Sequence, residues 1–355
     1  MKILYVIEHI SAPGGLERIL MDKLNALSRD AAMDITLLTV WKDTDGPAYT
    51  LDARVRRVCL GISVPRSAWG MLRAMPVALC RYNREVRRLA PDSVVYFRAM
   101  GAMLAAFSTW RGRSVFETHS ARHYCNHRWL YPLMERRVDA VVCLTQGDAR
   151  NYRRAARVEV IPNFTRLTPL TPAEVSRGRG RCTFMGRLCP EKDPMRLLRL
   201  WHRIVSRMPG WRLDIYGHGE LEPEMREMLR RSSLSRSVTL HGFAGDIRRV
   251  YAGTDILLLT SVTEGLPMVV MEAMRCGVPV VSTDCPYGPG ELIRDGHTGM
   301  LVPVEDDEAY VDAVCRLMLD DGLRRRMGHE AMERSALYSM PDIMGQWKHL
   351  FNDLT

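Results

Sequence analysis

No apolar run in the chain approaches the roughly 18 residues a membrane-spanning helix needs, so a protein built from helical membrane spans is excluded. Cys-x-x-Cys pairs are missing too. The nine cysteines are scattered and odd in number, which argues against a disulfide framework and suits reduced thiols in a cytoplasmic core. No internal repeat and no low-complexity tract interrupts the chain, which sets aside solenoids and disordered tails. Lysine is scarce, and arginine supplies nearly all of the positive charge behind a net +9. That charge is uneven. Residues 1–165 hold 25 Lys and Arg against 15 Asp and Glu, and the remainder is close to neutral. Arginine grips phosphate in a bidentate way that lysine does not, so the first half suits an anionic partner. A nucleic acid, an anionic membrane surface and a phosphorylated acceptor all fit that description.

At 355 residues and 46% hydrophobic content, the chain can build two domains, each with its own core. The opening apolar residues 3–7 are followed at once by Glu8 and His9, the pattern of a strand and not of a signal peptide. Short apolar runs at residues 3–7, 35–40, 94–97, 115–117, 140–144 and 159–161 read as a first parallel sheet. Runs at 183–185, 212–216, 238–241, 256–260 and 278–282 read as a second. Continuous apolar character, in place of alternation, suits strands covered on both faces by helices. Residues 166–180, rich in Thr, Pro, Arg and Gly, read as a linker between domains 1–165 and 181–340. The expected class is therefore α/β, with two doubly wound Rossmann-like domains facing each other across a cleft at the carboxyl ends of both sheets. Near the C-terminus, Ile343, Trp347, Leu350 and Phe351 fall at helical spacing, so residues 341–355 read as a docking helix.

The densest chemistry lies in Thr-Glu264-Gly265-Leu266-Pro267-Met268-Val269-Val-Met-Glu272. Two carboxylates flank a turn that opens a helix, and Pro267 suits its first turn because its missing N–H costs nothing there. The amides of Met268, Val269 and Val270 should then face outward at the positive helix end. An anion or a hydroxyl-rich ligand fits between them and the two glutamates. Earlier, Gly186-Arg187-Leu-Cys-Pro-Glu191-Lys192 sets two cations at a strand end, where they could hold a diphosphate. Gly14-Gly15 follows the first strand and permits close backbone approach ahead of a helix. Gly217 and Gly219 follow another strand, Phe243 closes a third, and His119 ends the run Phe116-Glu117-Thr118-His119. No metal is expected, since basic residues and helix dipoles can do a metal's electrostatic work. Between residues 66 and 90, Trp69, Leu72, Met75, Val77, Leu79 and Tyr82 mix with Arg66, Arg73, Arg81, Arg84, Arg87 and Arg88. The mixture reads as basic amphipathic helix, split in two at Pro76, with one face for the core or for an anionic leaflet.

Together these motifs resemble the retaining GT-B glycosyltransferases of family 4, glycosyl transferases group 1. The Glu264–Glu272 pair is similar to the family's E-x7-E signature, and residues 186–192 match its G-R-L-x-x-E-K pattern. The resemblance covers nearly the full length, with its specificity concentrated in residues 183–300. It implies that Arg187 and Lys192 bind the donor diphosphate, that Glu272 binds ribose, and that Glu264 and His119 attend the sugar. Gly14, Gly15, Gly217, Gly219 and Phe243 would complete the donor site. The sequence Asp284-Cys-Pro-Tyr287-Gly-Pro-Gly-Glu291 resembles members that build bacterial surface and lipid-linked glycans, although Gly290 stands where those carry a larger, often basic residue. The implied reaction moves a hexose or N-acetylhexosamine from a nucleotide-sugar, UDP before GDP, to a cell-envelope glycan or lipid-linked acceptor. It would need no metal, and the enzyme would sit in the cytoplasm or peripherally on the inner membrane face. An epimerase of the same fold would require its own acid/base groups, and a basic nucleic-acid-binding protein is suggested by charge alone.

Overall fold

The computed structural model describes every residue except 12–13, 43–45, 47, 66, 126–127, 177 and 355. It divides into two units, residues 1–163 with 341–355, and residues 164–340. The first holds a seven-stranded parallel sheet of β1 (Lys2–Ile7), β2 (Asp34–Trp41), β3 (Arg56–Ile62), β4 (Ser93–Phe97), β5 (Arg113–Glu117), β6 (Ala140–Cys143) and β7 (Val158–Val160). Its order is β3-β2-β1-β4-β5-β6-β7. The central strands are buried along almost their whole length, as continuous apolar runs require.

The second unit holds β8 (Arg181–Met185), β9 (Arg212–Tyr216), β10 (Val238–Gly242), β11 (Ile256–Leu259), β12 (Val280–Thr283) and β13 (Met300–Val302), in the order β10-β9-β8-β11-β12-β13. All pairings between neighbouring strands are parallel. Strand order reverses between β1 and β4 in one sheet and between β8 and β11 in the other. In doubly wound sheets, ligands bind beyond the carboxyl ends of the strands at such reversals. The fold class is the expected one.

Several expectations need correction. Residues 166–180 are no free linker, because they are pinned to the second unit. Arg248 bonds Thr168, Pro169 and Glu174, while the Gly178 amide donates to the buried Asp255. Pro76 does not split its helix, which runs unbroken from Ala68 to Leu89. The ring stands on the exposed face, and Ala78, Tyr82 and Val86 lock the other side into the core. Strands β3 and β13 were not anticipated. Both are edge strands; the first carries arginines and a glycine, and the second spans three residues. The closing helix, Met340–Asp353, belongs to the first unit and buries Ile343, Trp347, Leu350 and Phe351. Lys348 reaches Asp30 at 2.6 Å, and Arg157 reaches Asp353 at 3.1 Å.

Candidate active site

In the second unit the loops after β8 and β11 are laced together. Thr260 Oγ1 donates to the carbonyls of Lys192 and Asp193 at 3.1 and 2.9 Å. The Val262 amide donates to the Glu191 carbonyl at 2.9 Å. This lacing brings Lys192 and Glu264, 72 residues apart in sequence, into an ion pair. Ser261 Oγ donates to the same Glu264 oxygen at 2.7 Å. Both side chains are largely buried, so their attraction is poorly screened. Arg187 is exposed just past β8.

Glu264 precedes the helix Met268–Arg275, and Glu272 lies on its second turn, buried, with the Tyr251 hydroxyl donating at 3.2 Å. Pro267 caps this helix instead of opening it, with φ −69° and ψ 109°. A second correction follows. The Val270 amide donates to the Pro267 carbonyl at 3.1 Å, which leaves Met268 and Val269 as the outward-facing amides of that turn. Two residues around this turn were not read as part of the site from sequence. A Cβ on Gly288 would lie 2.7 Å from Glu264 Cβ and 2.9 Å from Pro267 Cδ, so only glycine lets the 284–291 loop close on the turn. Tyr287 beside it holds φ +77°, a strained geometry for an aromatic residue. A Cβ on Gly290 would lie 3.1 Å from Asp284 Oδ1.

Gly217 and Gly219 answer first to packing. Side chains there would strike the carbonyls of Gly186 and Leu188 at 1.8 and 2.3 Å. The glycine turn thereby presses on the segment that carries Arg187. Phe243 is 72% exposed, with the His218 ring T-shaped to it at 4.7 Å, so much of the aromatic ring is accessible to a flat ligand. His218 itself is engaged by Glu222 at 2.7 Å.

In the first unit, Gly14 caps the helix Gly15–Leu27. A Cβ on Gly14 would meet Glu17 Oε2 at 2.4 Å, and Glu17 pairs with Arg98 at 3.3 Å. Ala12 and Pro13 of the same loop lie outside the described residues. His119 follows β5, stacks on Phe97 at 4.7 Å and meets Glu117 Oε1 through Nε2 at 2.8 Å. Glu117 also pairs with Lys23. Neither partner was singled out in the sequence, because 94 residues separate Lys23 from Glu117. Burial lowers the His119 imidazole below its ordinary value, against Glu117, which raises it. Burial alone would raise the Glu117 carboxyl, but Lys23 and His119 outweigh it and hold it below the usual range.

Family models match both units. Residues 13–169 match Glycosyltransferase Family 4, and residues 179–320 match Glycosyl transferases group 1. The chain belongs to the family 4 glycosyltransferases. The amylovoran biosynthesis glycosyltransferase AmsD of Erwinia amylovora is 28% identical over 99% of both chains. The lipopolysaccharide core biosynthesis glycosyltransferase LpsE of Rhizobium meliloti is 26% identical, over 91% of this chain and 92% of that one. Among solved structures, TarM superposes with a TM-score of 0.83 at 14% identity, covering 99% of this chain and 98% of its own. Anabaena HepE in complex with UDP-glucose superposes with 0.79 at 19% identity, covering 99% and 100%. These likenesses show the GT-B fold.

The basic helix of this glycosyltransferase divides its candidate residues. Trp69 and Leu72 are 75% and 66% exposed, and Arg73 and Arg84 are exposed too. Arg81 instead donates to the Leu60 carbonyl at 2.6 Å and stitches the helix to β3, while Arg88 pairs with Glu85 at 2.8 Å. Arg66 lies outside the described residues. One sequence signal was passed over. His119, His123, Cys125 and His127 lie at spacings open to metal ligands, and Asp43 and Asp45 form an Asp-x-Asp pair. Asp43, Asp45 and His127 lie outside the described residues, and among the described residues no three such groups converge. No helix among the described residues is long and apolar enough to cross a membrane.

Proposed function

We propose that this glycosyltransferase moves a hexose or N-acetylhexosamine, with retention, from a UDP-sugar to a cell-envelope glycan or lipid-linked acceptor. One observation carries the reading. At the β8/β11 reversal, Lys192, Glu264, Glu272 and the amides of Met268 and Val269 gather around a single helix start. A diphosphate has its counter-charges there in Lys192, Arg187 and the helix end. Hydroxyls of ribose and sugar have their acceptors in Glu272 and Glu264. Glu264 is paired with Lys192 in the structure. A donor would exchange that contact for two, phosphate on the cation and hydroxyl on the carboxylate.

In the reaction the bond from the anomeric carbon to the diphosphate oxygen breaks, and the acceptor oxygen bonds on the same face. The acceptor proton passes to the leaving phosphate oxygen. Negative charge grows on the diphosphate as the bond opens, so fixed cations stabilise the transition state more than the ground state. His119 is assigned to the transferred sugar, and no metal is assigned a role. The relatives that make amylovoran and lipopolysaccharide core support the acceptor class, and the HepE complex with UDP-glucose supports the donor. Exposed Trp69 and Leu72 among arginines support peripheral contact with an anionic cytoplasmic leaflet.

A thermal-shift panel of UDP, GDP, ADP and their sugars, with and without EDTA, tests the donor claim. UDP ligands are expected to raise the midpoint equally in both conditions. A shift confined to GDP ligands, or abolished by EDTA, overturns the donor or the metal assignment. In the same system Glu272→Ala and Lys192→Ala are expected to abolish transfer while the midpoint without nucleotide stays within a few degrees. Normal turnover in either variant removes the site. Trp69→Ala should cut co-sedimentation with phosphatidylglycerol vesicles, and equal binding would remove the membrane contact.

A further inference from the structure

Three buried groups of the first unit meet on one carboxylate oxygen. Glu117, the last residue of β5, holds Lys23 from the helix Gly15–Leu27 and His119 Nε2 on the same Oε1. The side chains of Lys23 and Glu117 are each 3% exposed, and that of His119 is 5% exposed. Glu117 Oε2 has no partner among the described residues. Aromatic rings close the pocket around the ammonium: Trp347 at 4.0 Å, Phe97 at 5.4 Å and Tyr5 at 5.6 Å. Removing two charges from water is costly, and apolar residues of similar volume often serve stability as well or better. A pair this deep therefore calls for a purpose beyond holding the core.

We propose that Lys23 and Glu117 are positioning residues for His119: the carboxylate accepts a hydrogen bond from Nε2–H, leaving Nδ1 as an acceptor, and the ammonium balances the carboxylate so that the ring stays neutral. The inference rests on the reading that His119 attends the transferred sugar. A carboxylate facing an imidazole alone draws a second proton onto the ring, because an imidazolium is its natural counter-ion. Lys23 already fills that place. The charged groups that bear on His119 are Glu117, which favours the imidazolium, and Lys23 and Arg98, which oppose it. Arg98 is itself partnered by Glu17. Tyr5 faces the same pair, and burial together with Glu117 keeps its hydroxyl protonated. A neutral ring whose Nδ1 carries no proton can accept a hydrogen bond from a sugar hydroxyl, which an imidazolium cannot do. Trp347 of the closing helix covers the ammonium and helps fix its place.

The test follows the His119 ring by NMR in the full-length protein across pH, beside the pH profile of transfer from the donor that the panel selects. In Lys23→Met the carboxylate keeps His119 as its only side-chain partner among the described residues. The His119 midpoint is expected to rise by at least about one pH unit, and the acid limb of kcat/KM to rise with it, so that activity near that limb falls about tenfold. Lys23→Arg should restore the wild-type profile. An unmoved His119 midpoint in a folded but less stable Lys23→Met protein means the pair only braces the core, and the proposal fails. If that variant does not fold, Lys23→Met/Glu117→Gln removes both charges together. Its midpoint is expected to stay below about 6.5, with kcat/KM lowered across the whole pH range because the tautomer is no longer fixed. Wild-type kcat/KM in the double variant overturns the proposal. A fully active His119→Asn would also overturn it, with the transferase itself intact, whereas no transfer by the wild-type chain from any donor would take down the functional reading.

Discussion

Single atoms decide much of this site. Gly217 has φ +137°, and a Cβ there would sit 1.8 Å from the Gly186 carbonyl oxygen. Gly217→Ala must therefore strain the turn and push the segment bearing Arg187. The expected cost is about 2–4 kcal/mol, read as a lower urea midpoint, together with weaker nucleotide binding; a variant of wild-type stability and affinity would contradict the close approach. His119 gives a pH signature whose sign is fixed. Its folded value lies below the ordinary one of about 6.5, so between the two the unfolded chain binds a proton that the native state refuses. Stability then falls as pH drops through that window and levels off below the folded value. Urea titrations from pH 7.5 downward should show this slope in the wild type and a weaker one in His119→Gln. At this scale the sequence was legible where residue types announce their chemistry, as with Glu264, Glu272, Arg187 and Lys192. It was silent on Lys23 and Glu117, because a lone lysine and a strand-end glutamate become a pair only when β5 and the first helix pack together.

Elements follow from burial more than from propensity. The apolar runs mark every central strand, covered on both faces, where pattern and burial agree, and also the edge strands β7 and β10. The missed strands lie at sheet edges, where one side faces water and polar residues are tolerated. Pro76 shows the same rule in a helix. Local propensity says the helix should stop, yet Ala78, Tyr82 and Val86 are fully buried on one face and carry it through. Tertiary packing outweighs a penalty of about 3 kcal/mol. Because the proline ring is exposed, replacing it adds no clash and restores one amide donor to the Leu72 carbonyl. Pro76→Ala is expected to raise stability by about 1–3 kcal/mol, seen as a higher thermal midpoint with unchanged transfer. A lower midpoint would mean that the proline shapes the helix in a way the fold depends on.

The whole chain folds as two cores that draw on different stretches of sequence. One cluster is built around Phe184, Trp201 and Tyr310, the other around Leu38, Tyr82 and Phe116. The first unit also requires the last residues of the chain, since Trp347 and Phe351 are 2% and 0% exposed within it. Losing two such aromatic side chains costs about 3–5 kcal/mol each, which rivals the 5–15 kcal/mol by which a domain is stable. Removing residues 340–355 should therefore unfold the first unit and spare the second. Calorimetry of the full chain is expected to resolve two transitions, one raised by a nucleoside diphosphate because its candidate ligands lie in residues 186–272. At a hundredfold excess over the dissociation constant the rise corresponds to about 2.7 kcal/mol. The shortened chain should keep the nucleotide-sensitive transition and lose the other. Two transitions surviving the truncation would show that residues 1–163 hold their own core, and that the final helix only covers it.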